Sequence, residues 1–453
     1  MIHTCPRRAR YNGKETGQAM AKQPQNVTAF PTSRRERRRL LRRSSDVRLR
    51  IVSVLRALTG WGVAVAVLAF LAVNFRLFTP TSIRRVASYA RAGMTAAQGD
   101  LHAIPYASGG VSDAIVFDGG LVLADSDTIY VSKPGGLNQL TLQLSYAHIA
   151  LDASENFILA YDRGARGLTV ANALTTLVQT ELPNDILTAS ISNQGDYVVV
   201  SGESGYKSAV TVYSPEGKQT YKWSSSEYYV QSAALSPSGK RMAALGFHMN
   251  GAMLESKLLF FDLGSEKIAN EVSLGSALGL ETRFLSDSTV GAVCDTGAFV
   301  VSRSGKILAQ QSYAADDLLS FAWSGQNLAL ATRSYMRSAR SELHVLDGDG
   351  HAPTPLYLSQ ELQSLSCAAG DVAVLTPTGL HLYDNALRPL WSDTAAAGGR
   401  RVLLGNDGTA FVLMSKNARL FTKNTVEGSD NDISIPTQPA VSAGNAAAAA
   451  DAK

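Results

Sequence analysis

VQSAALSPSGKRMAALG, residues Val230 to Gly246, reads as two short strands joined by a tight turn. Ser232 to Ser236 sets small apolar residues between two serines, a short run that reads as a strand. Pro237-Ser238-Gly239 supplies the turn, because Pro presets φ and Gly tolerates positive φ. Met242 to Leu245 is apolar enough to be a return strand buried on both faces. The same hairpin recurs along the chain. SDAIVFDGGLVLAD starts at Ser112, AHIALDASENFILAYD at Ala147, LTASISNQGDYVVVSG at Leu187 and QSAALSPSGKRMAALG at Gln231. LETRFLSDSTVGAVCD starts at Leu280, LLSFAWSGQNLALATR at Leu318, LQSLSCAAGDVAVLTP at Leu362 and GRRVLLGNDGTAFVLM at Gly399.

A second hairpin follows most copies, as in SAVTVYSPEGKQTYKW (Ser208 to Trp223) and KLLFFDLGSEKIANEV (Lys257 to Val272). Four short strands repeated about every 40 residues describe the blades of a β-propeller. The expected fold is all-β: an eight-bladed propeller over 101–425, with seven blades as the alternative. The last copy runs out after its third strand, ARLFTK. LHAIPY (Leu101 to Tyr106) precedes the first copy and is placed to supply the missing strand, which would close the ring and remove an exposed edge.

Composition agrees with a large all-β core: 45% of residues are hydrophobic, 18% charged, and 38 are Gly. The net charge of +4 conceals an asymmetry. Residues 1–56 carry 15 Lys/Arg against three acids, and residues 92–453 carry 23 against 35. The acidic propeller region argues against a nucleic-acid partner. Of the three cysteines, Cys294 and Cys367 fall two repeats apart and are expected as buried free thiols.

Upstream, residues 1–56 are expected as a basic, largely disordered cytoplasmic segment. Its run SRRERRRLLRRSSDVRLRIVSVLR (Ser33 to Arg56) reads either as a contact for anionic headgroups or RNA, or as a topology signal. Met20 is an alternative translation start. Ala57 to Phe75, ALTGWGVAVAVLAFLAVNF, carries no charge over 19 residues. As a helix at ~1.5 Å per residue it would span a bilayer once. Ten Arg precede it between Arg34 and Arg56, and four follow, which predicts a cytoplasmic N-terminus and an extracytoplasmic propeller. Residues 76–100 are expected as a stalk with a short helix, Ile83 to Ala92. Residues 426–453 are expected as a disordered tail.

The SPSGK turn with its short apolar strand resembles blades of the WD40-like propellers of the Tol system. The outer hairpins GKQTYKW and ALRPLW resemble quinoprotein-type (PQQ-like) blades. The order of parts from about Arg42 to Lys423 resembles an uncharacterised Clostridia-type family of single-pass membrane proteins. The phrases carrying that likeness are AYDRGARGLTV (Ala160 to Val170), VVSGESGYKSAVTVYSPEGK (Val199 to Lys218) and SSEYYVQSAALSPSGKRMAALG (Ser225 to Gly246). The resemblance implies architecture and supplies no mechanism.

Chemistry leaves few marks. No G-x-S-x-G elbow occurs. The six histidines after residue 100 are scattered, with no pair at metal-ligand spacing. Asp347-Gly348-Asp349-Gly350 resembles part of a Ca²⁺ loop but lacks the distant Glu, and is expected as a hairpin turn. A quinone cofactor lacks its aromatic cavity. No catalytic residue, cofactor or metal is therefore expected.

Two Gly-rich stretches exceed what a blade requires: Asp162, Arg163 and Arg166 in DRGARG, and Glu203, Tyr206 and Lys207 in GESGYK. Both link strands within a blade and so emerge on one face of the disc. HMNGAMLES (His248 to Ser256) and SYMRSARS (Ser334 to Ser341) are expected as longer loops in the equivalent place. With Tyr228 and Tyr229, this face is the expected interaction surface for a protein or cell-envelope partner. A ligand-sensing ectodomain is the alternative function, and a propeller enzyme with a central-channel site the third.

Overall fold

A computed structural model describes residues 103–106, 111–125, 127–133, 138–265 and 267–423, together with 59, 61 and 62. Among these residues, thirty-two strands form eight four-stranded antiparallel sheets. Blades 1 to 7 occupy residues 113–143, 149–181, 186–225, 229–273, 279–312, 318–358 and 364–393, each with its four strands in chain order from inner to outer. Blade 8 takes three strands from residues 401–421, and its outer strand is Ala103–Pro105 from the start of the ring. The register is Ala103 with Arg419, Ile104 with Ala418 and Pro105 with Asn417. The eight-blade expectation and the closing strand both hold, and the seven-blade alternative falls.

The core lies between blades rather than within them. Eight buried apolar clusters fill the eight junctions. Val198, Val212 and Tyr221 of blade 3 meet Ala233, Met242 and Phe261 of blade 4. Ile104 and Leu413 of blade 8 meet Ala114 and Leu121 of blade 1. The second strand of each blade is therefore covered on both faces, and Met242 to Leu245 are fully buried. Each such Leu or Met side chain contributes roughly 1.5–3 kcal/mol on burial, and only a neighbouring blade can bury it. Between blades 5 and 6 the indole of Trp323 fills the gap above Gly291. Trp223, on an outer strand, packs 4.9 Å from the Phe261 ring of the next blade and so locks that junction.

The turn chemistry reads directly from the quoted stretch. Gly239 has φ of 68° and donates its N–H to the Ser236 carbonyl at 2.8 Å. Ser236 itself is fully buried. Cys294 and Cys367 are free and buried, as expected. Asp347 accepts the amides of Asp349 and His351, so the Ca²⁺-like sequence serves as a hairpin turn.

An inner strand leaves an unpaired edge toward the axis. Side chains from the adjoining blade occupy it at several junctions. Asp113 of blade 1 accepts from the Leu151 amide of blade 2, and Asp152 of blade 2 accepts from the Ile191 amide of blade 3. Ser232 accepts from Thr282 N–H, and Ser364 from Val402 N–H. Asp113 also pairs with Arg401 of blade 8 at 2.9 Å, so one carboxylate joins three blades across the closure.

Strand directions define two faces. Each inner strand runs from an upper face to a lower one, so the upper face carries the outer-to-inner connections and the second-to-third hairpins. The third strand of blade 8, Asn417–Phe421, runs downward, and Ala103–Pro105 runs upward beside it. The chain thus enters and leaves the ring at the lower face.

The expected membrane span 57–75 lies outside the described residues except for Thr59, Trp61 and Gly62, which are helical. Among the described residues no helix is long and apolar enough to cross a membrane. The basic segment, the stalk helix Ile83 to Ala92 and the tail 426–453 also lie outside them.

Candidate functional site: the upper face of blades 2 to 5

All eight residues singled out in the sequence belong to upper-face connections, but the structure divides them. Asp162 is buried, and its carboxylate accepts the Ala147 and His148 amides at 3.0 and 2.8 Å. Tyr228 is buried too. Its hydroxyl donates to Glu271 and accepts from Lys257. Burial pushes the Tyr228 phenol up to about 12, against the opposing pull of Lys257. These two hold the face together and are not offered by it, which corrects their assignment to an exposed surface. Position alone could not distinguish them, since each sits beside an exposed neighbour, Arg163 and Tyr229.

The others are surface groups. Arg166 points toward the outer strand of blade 2 and lies 3.8 Å from Glu181. Glu203 is held by Lys222 at 2.8 Å and by the Asn184 amide at 2.9 Å. Lys207 donates to the Glu227 carbonyl and stands 4.9 Å over the Tyr229 ring. Tyr229 in turn stacks on Phe247 at 5.4 Å, and Tyr206 is exposed.

HMNGAMLES is not a loop. The second and third strands of blade 4, Arg241–Asn250 and Met253–Asp262, stay paired to the turn at Gly251-Ala252. Gly251 has φ of 65°, and Gly at the first position of a two-residue hairpin turn suits the twist of the flanking strands. At ten residues each, these strands outlast every other pair in the ring. Met249 and Met253 are exposed at the tip. The hairpin is braced at its base. The two His248 ring nitrogens lie 3.2 Å from Glu227 and Glu255, and the ring stacks on Tyr228 at 5.1 Å. The Ser273 hydroxyl, His248 and Asn250 all bond Glu255 and hold its carboxyl down at about 2. SYMRSARS does remain a loop, anchored by the Tyr335 hydroxyl donating to Asp317 at 2.7 Å.

Near the axis, the inner strands of blades 2 to 5 enclose a polar cavity of about 400 Å³. An ion pair crosses it. Arg283 of blade 5 reaches Asp152 of blade 2 at 2.9 Å and Glu281 at 2.8 Å. Burial raises the Asp152 carboxyl above the ordinary carboxylate range, although Arg283 and the Ile191 amide oppose it. A larger hollow elsewhere belongs to turn geometry. The hollow of about 600 Å³ between blades 6 and 7 lies at the lower face, lined by Asp347 and Asp384, which cap their own turns. Among the described residues no group of three or more His, Cys, Asp or Glu side chains is arranged to hold a metal.

The Asp152–Arg283 pair was not singled out in the sequence, because 131 residues separate its members. A signal existed: LETRF carries two charges in an inner strand, and Asp152 is an acid in the inner strand IALDA of blade 2.

Comparison with known proteins adds a family and a set of folds. Residues 104–419 match a family described as "Family of unknown function (DUF5711)". No curated protein matches the sequence significantly. Among solved structures, BamB from Moraxella catarrhalis is similar with a TM-score of 0.45 and 10% identity, over 72% of this chain and 97% of that one. The Cps50 (Swd1) β-propeller domain of Myceliophteria thermophila gives 0.43 and 8%, over 71% and 99%. The Pan2 WD40 domain of Neurospora crassa gives 0.40 and 9%, over 60% and 87%.

Proposed function

The chain belongs to this DUF5711 family of unknown function, and on that premise we propose that it is a non-catalytic docking platform for a protein or cell-envelope partner. The observation that carries the reading is the overlong hairpin of blade 4. It is the longest strand pair of the ring, and it exposes Met249 and Met253 on the same face as the exposed Tyr206 and Tyr229. Blade closure needs none of these side chains. Exposed Met and Tyr on one face supply adaptable apolar contact with polar rims, the composition of interface centres.

A single-pass anchor completes the proposal. The uncharged run 57–75 after ten arginines supports one membrane span, a cytoplasmic N-terminus and an extracytoplasmic propeller. The chain enters the ring at the lower face, which leaves the upper face clear of the point of entry.

Photo-crosslinking side chains placed singly at Met249, Met253 and Tyr206 test this in native membranes, with Ser304 on the lower face as control. One discrete crosslinked species from the upper positions and none from Ser304 is the expected result. Absence of any adduct from the upper positions, or equal adducts from Ser304, defeats the reading.

A further inference from the structure

Four consecutive blades share an irregularity that the other four lack. In blades 3, 4, 5 and 6 the inner strand carries one extra residue near its upper end, opposite no partner on the second strand. Those residues are Leu187, Gln231, Leu280 and Leu319. The inner strands of blades 1, 2, 7 and 8 pair without a break. Bulges between third and outer strands occur around most of the ring and belong to the repeat. The inner bulges are confined to one half of it. A bulge re-aims a side chain and often adjoins a site.

The bulge residues stand near the upper ends of four neighbouring inner strands, and Leu187 and Leu280 supply an apolar collar to the cavity between them. Leu187, Leu280 and Leu319 are 48%, 40% and 43% exposed, although they belong to the innermost strands of the fold. Leu187, Gln231 and Leu280 line the upper part of the central cavity. Arg163 also lines it, held by a bridge to Ile186, the residue before Leu187. Its backbone is fixed, the Arg163 amide donating to the His148 carbonyl at 2.9 Å. Its guanidinium is exposed and makes no ion pair among the described residues. The adjacent carboxylate, Asp162, is already taken by backbone amides. Deeper in, Asp152 and Glu281 neutralise Arg283. The mouth thus presents one unpaired cation beside an apolar collar and a free primary amide, Gln231.

We propose that this mouth binds the C-terminal end of a peptide whose last residue is apolar. Arg163 takes the free carboxylate, Leu187 and Leu280 seat the last side chain, and the Gln231 amide meets a peptide group. Charge complementarity selects the carboxylate, since a guanidinium pairs with its two oxygens in a fork. The collar selects an apolar side chain. The polar wall beyond it is a poor match for an acyl chain, which would strand Thr188 and Gln231 against hydrocarbon. A cavity of about 400 Å³ holds the end of a peptide and not a folded domain. This site is separate from the Met249–Met253 hairpin, so peptide binding and crosslinking at the hairpin can fail independently.

Isothermal titration of the full chain in detergent with acetyl-Ala-Ala-Leu as the free acid tests the proposal. The matched C-terminal amide, acetyl-Ala-Ala-Ser acid and decanoate are the counter-probes. The free acid should bind, and the amide should bind ~10-fold or more weakly, the scale of one charge-assisted hydrogen bond. Arg163→Gln should erase the acid–amide difference with an unchanged melting temperature, because Arg163 is exposed. Leu280→Ser should weaken the Leu peptide to the level of the Ser peptide. Equal binding of acid and amide, no binding in the millimolar range, or decanoate binding as tightly as the peptide would each overturn it.

Discussion

Glu255 illustrates how the upper face is built from single residues. Its carboxylate accepts from the Ser273 hydroxyl at 2.7 Å and from Asn250 at 3.1 Å, with a His248 nitrogen at 3.2 Å. Those partners lower its carboxyl from 4.5 to about 2. A depressed acid stabilises the fold fully above its ordinary value and loses that contribution as pH falls through the folded one. Glu255→Gln should therefore lower the melting temperature at neutral pH. The gap from the wild type should close between pH 4.5 and about 2. A gap independent of pH would mean that the carboxylate charge is not what braces the hairpin. Gly291 offers a second test. A Cβ there would lie 2.4 Å from the Trp323 ring, so Gly291→Ala should cost roughly 1–3 kcal/mol by overpacking. Trp323→Leu should absorb part of that cost in the double variant, whereas strict additivity in denaturant melts would remove the steric explanation.

At the scale of elements, the hairpin and the bulge mark what sequence can and cannot show. Turn residues and apolar strands repeat with the blade, so SPSGK, the eight copies and the closing LHAIPY are legible in the sequence alone. The blade 4 hairpin was legible in position but not in kind. HMNGAMLES looks like a loop because Asn-Gly interrupts it, yet Asn250 stays in the strand and pairs with Met253, and Gly251-Ala252 alone makes the turn. The inner bulges leave no compositional trace: Leu187 and Leu280 resemble any inward strand residue until the register with the next strand is known. Asp162 and Tyr228 were drawn into the candidate surface by exposed neighbours, Arg163 and Tyr229. Which of each pair turns inward depends on amides and side chains supplied by other strands. The hairpin's independence from the core can be measured. Replacing Met249, Met253 and Leu254 by Ser together should leave the melting temperature of the ring nearly unchanged, because none of the three is buried. A large fall would show that the tip packs on the ring and is not held out for a partner.

For the whole molecule, the decisive link is the junction where the chain's first described strand completes its last blade. Ile104 is 7% exposed and joins the cluster that seals blade 8 to blade 1, and the Asp113–Arg401 pair spans the same seam. Seven junctions are continuous in sequence; this one depends on a three-residue strand from the far end of the ring. Ile104→Asp should place an unpaired charge in that cluster, at a cost above the ~2–5 kcal/mol of a large-to-small core change. The damage should also be local. With Ala103–Pro105 released, Asn417–Phe421 becomes an open sheet edge. Hydrogen exchange should then accelerate first in residues 401–421 and 113–131, before blades 3 to 5 respond. The same substitution at Val272, buried on the outer strand of blade 4, interrupts a blade that is continuous in sequence. It should raise exchange around that blade without opening the seam. If Ile104→Asp instead raises exchange evenly around the ring, closure is no weaker than any other junction, and the seam does not govern how this propeller opens.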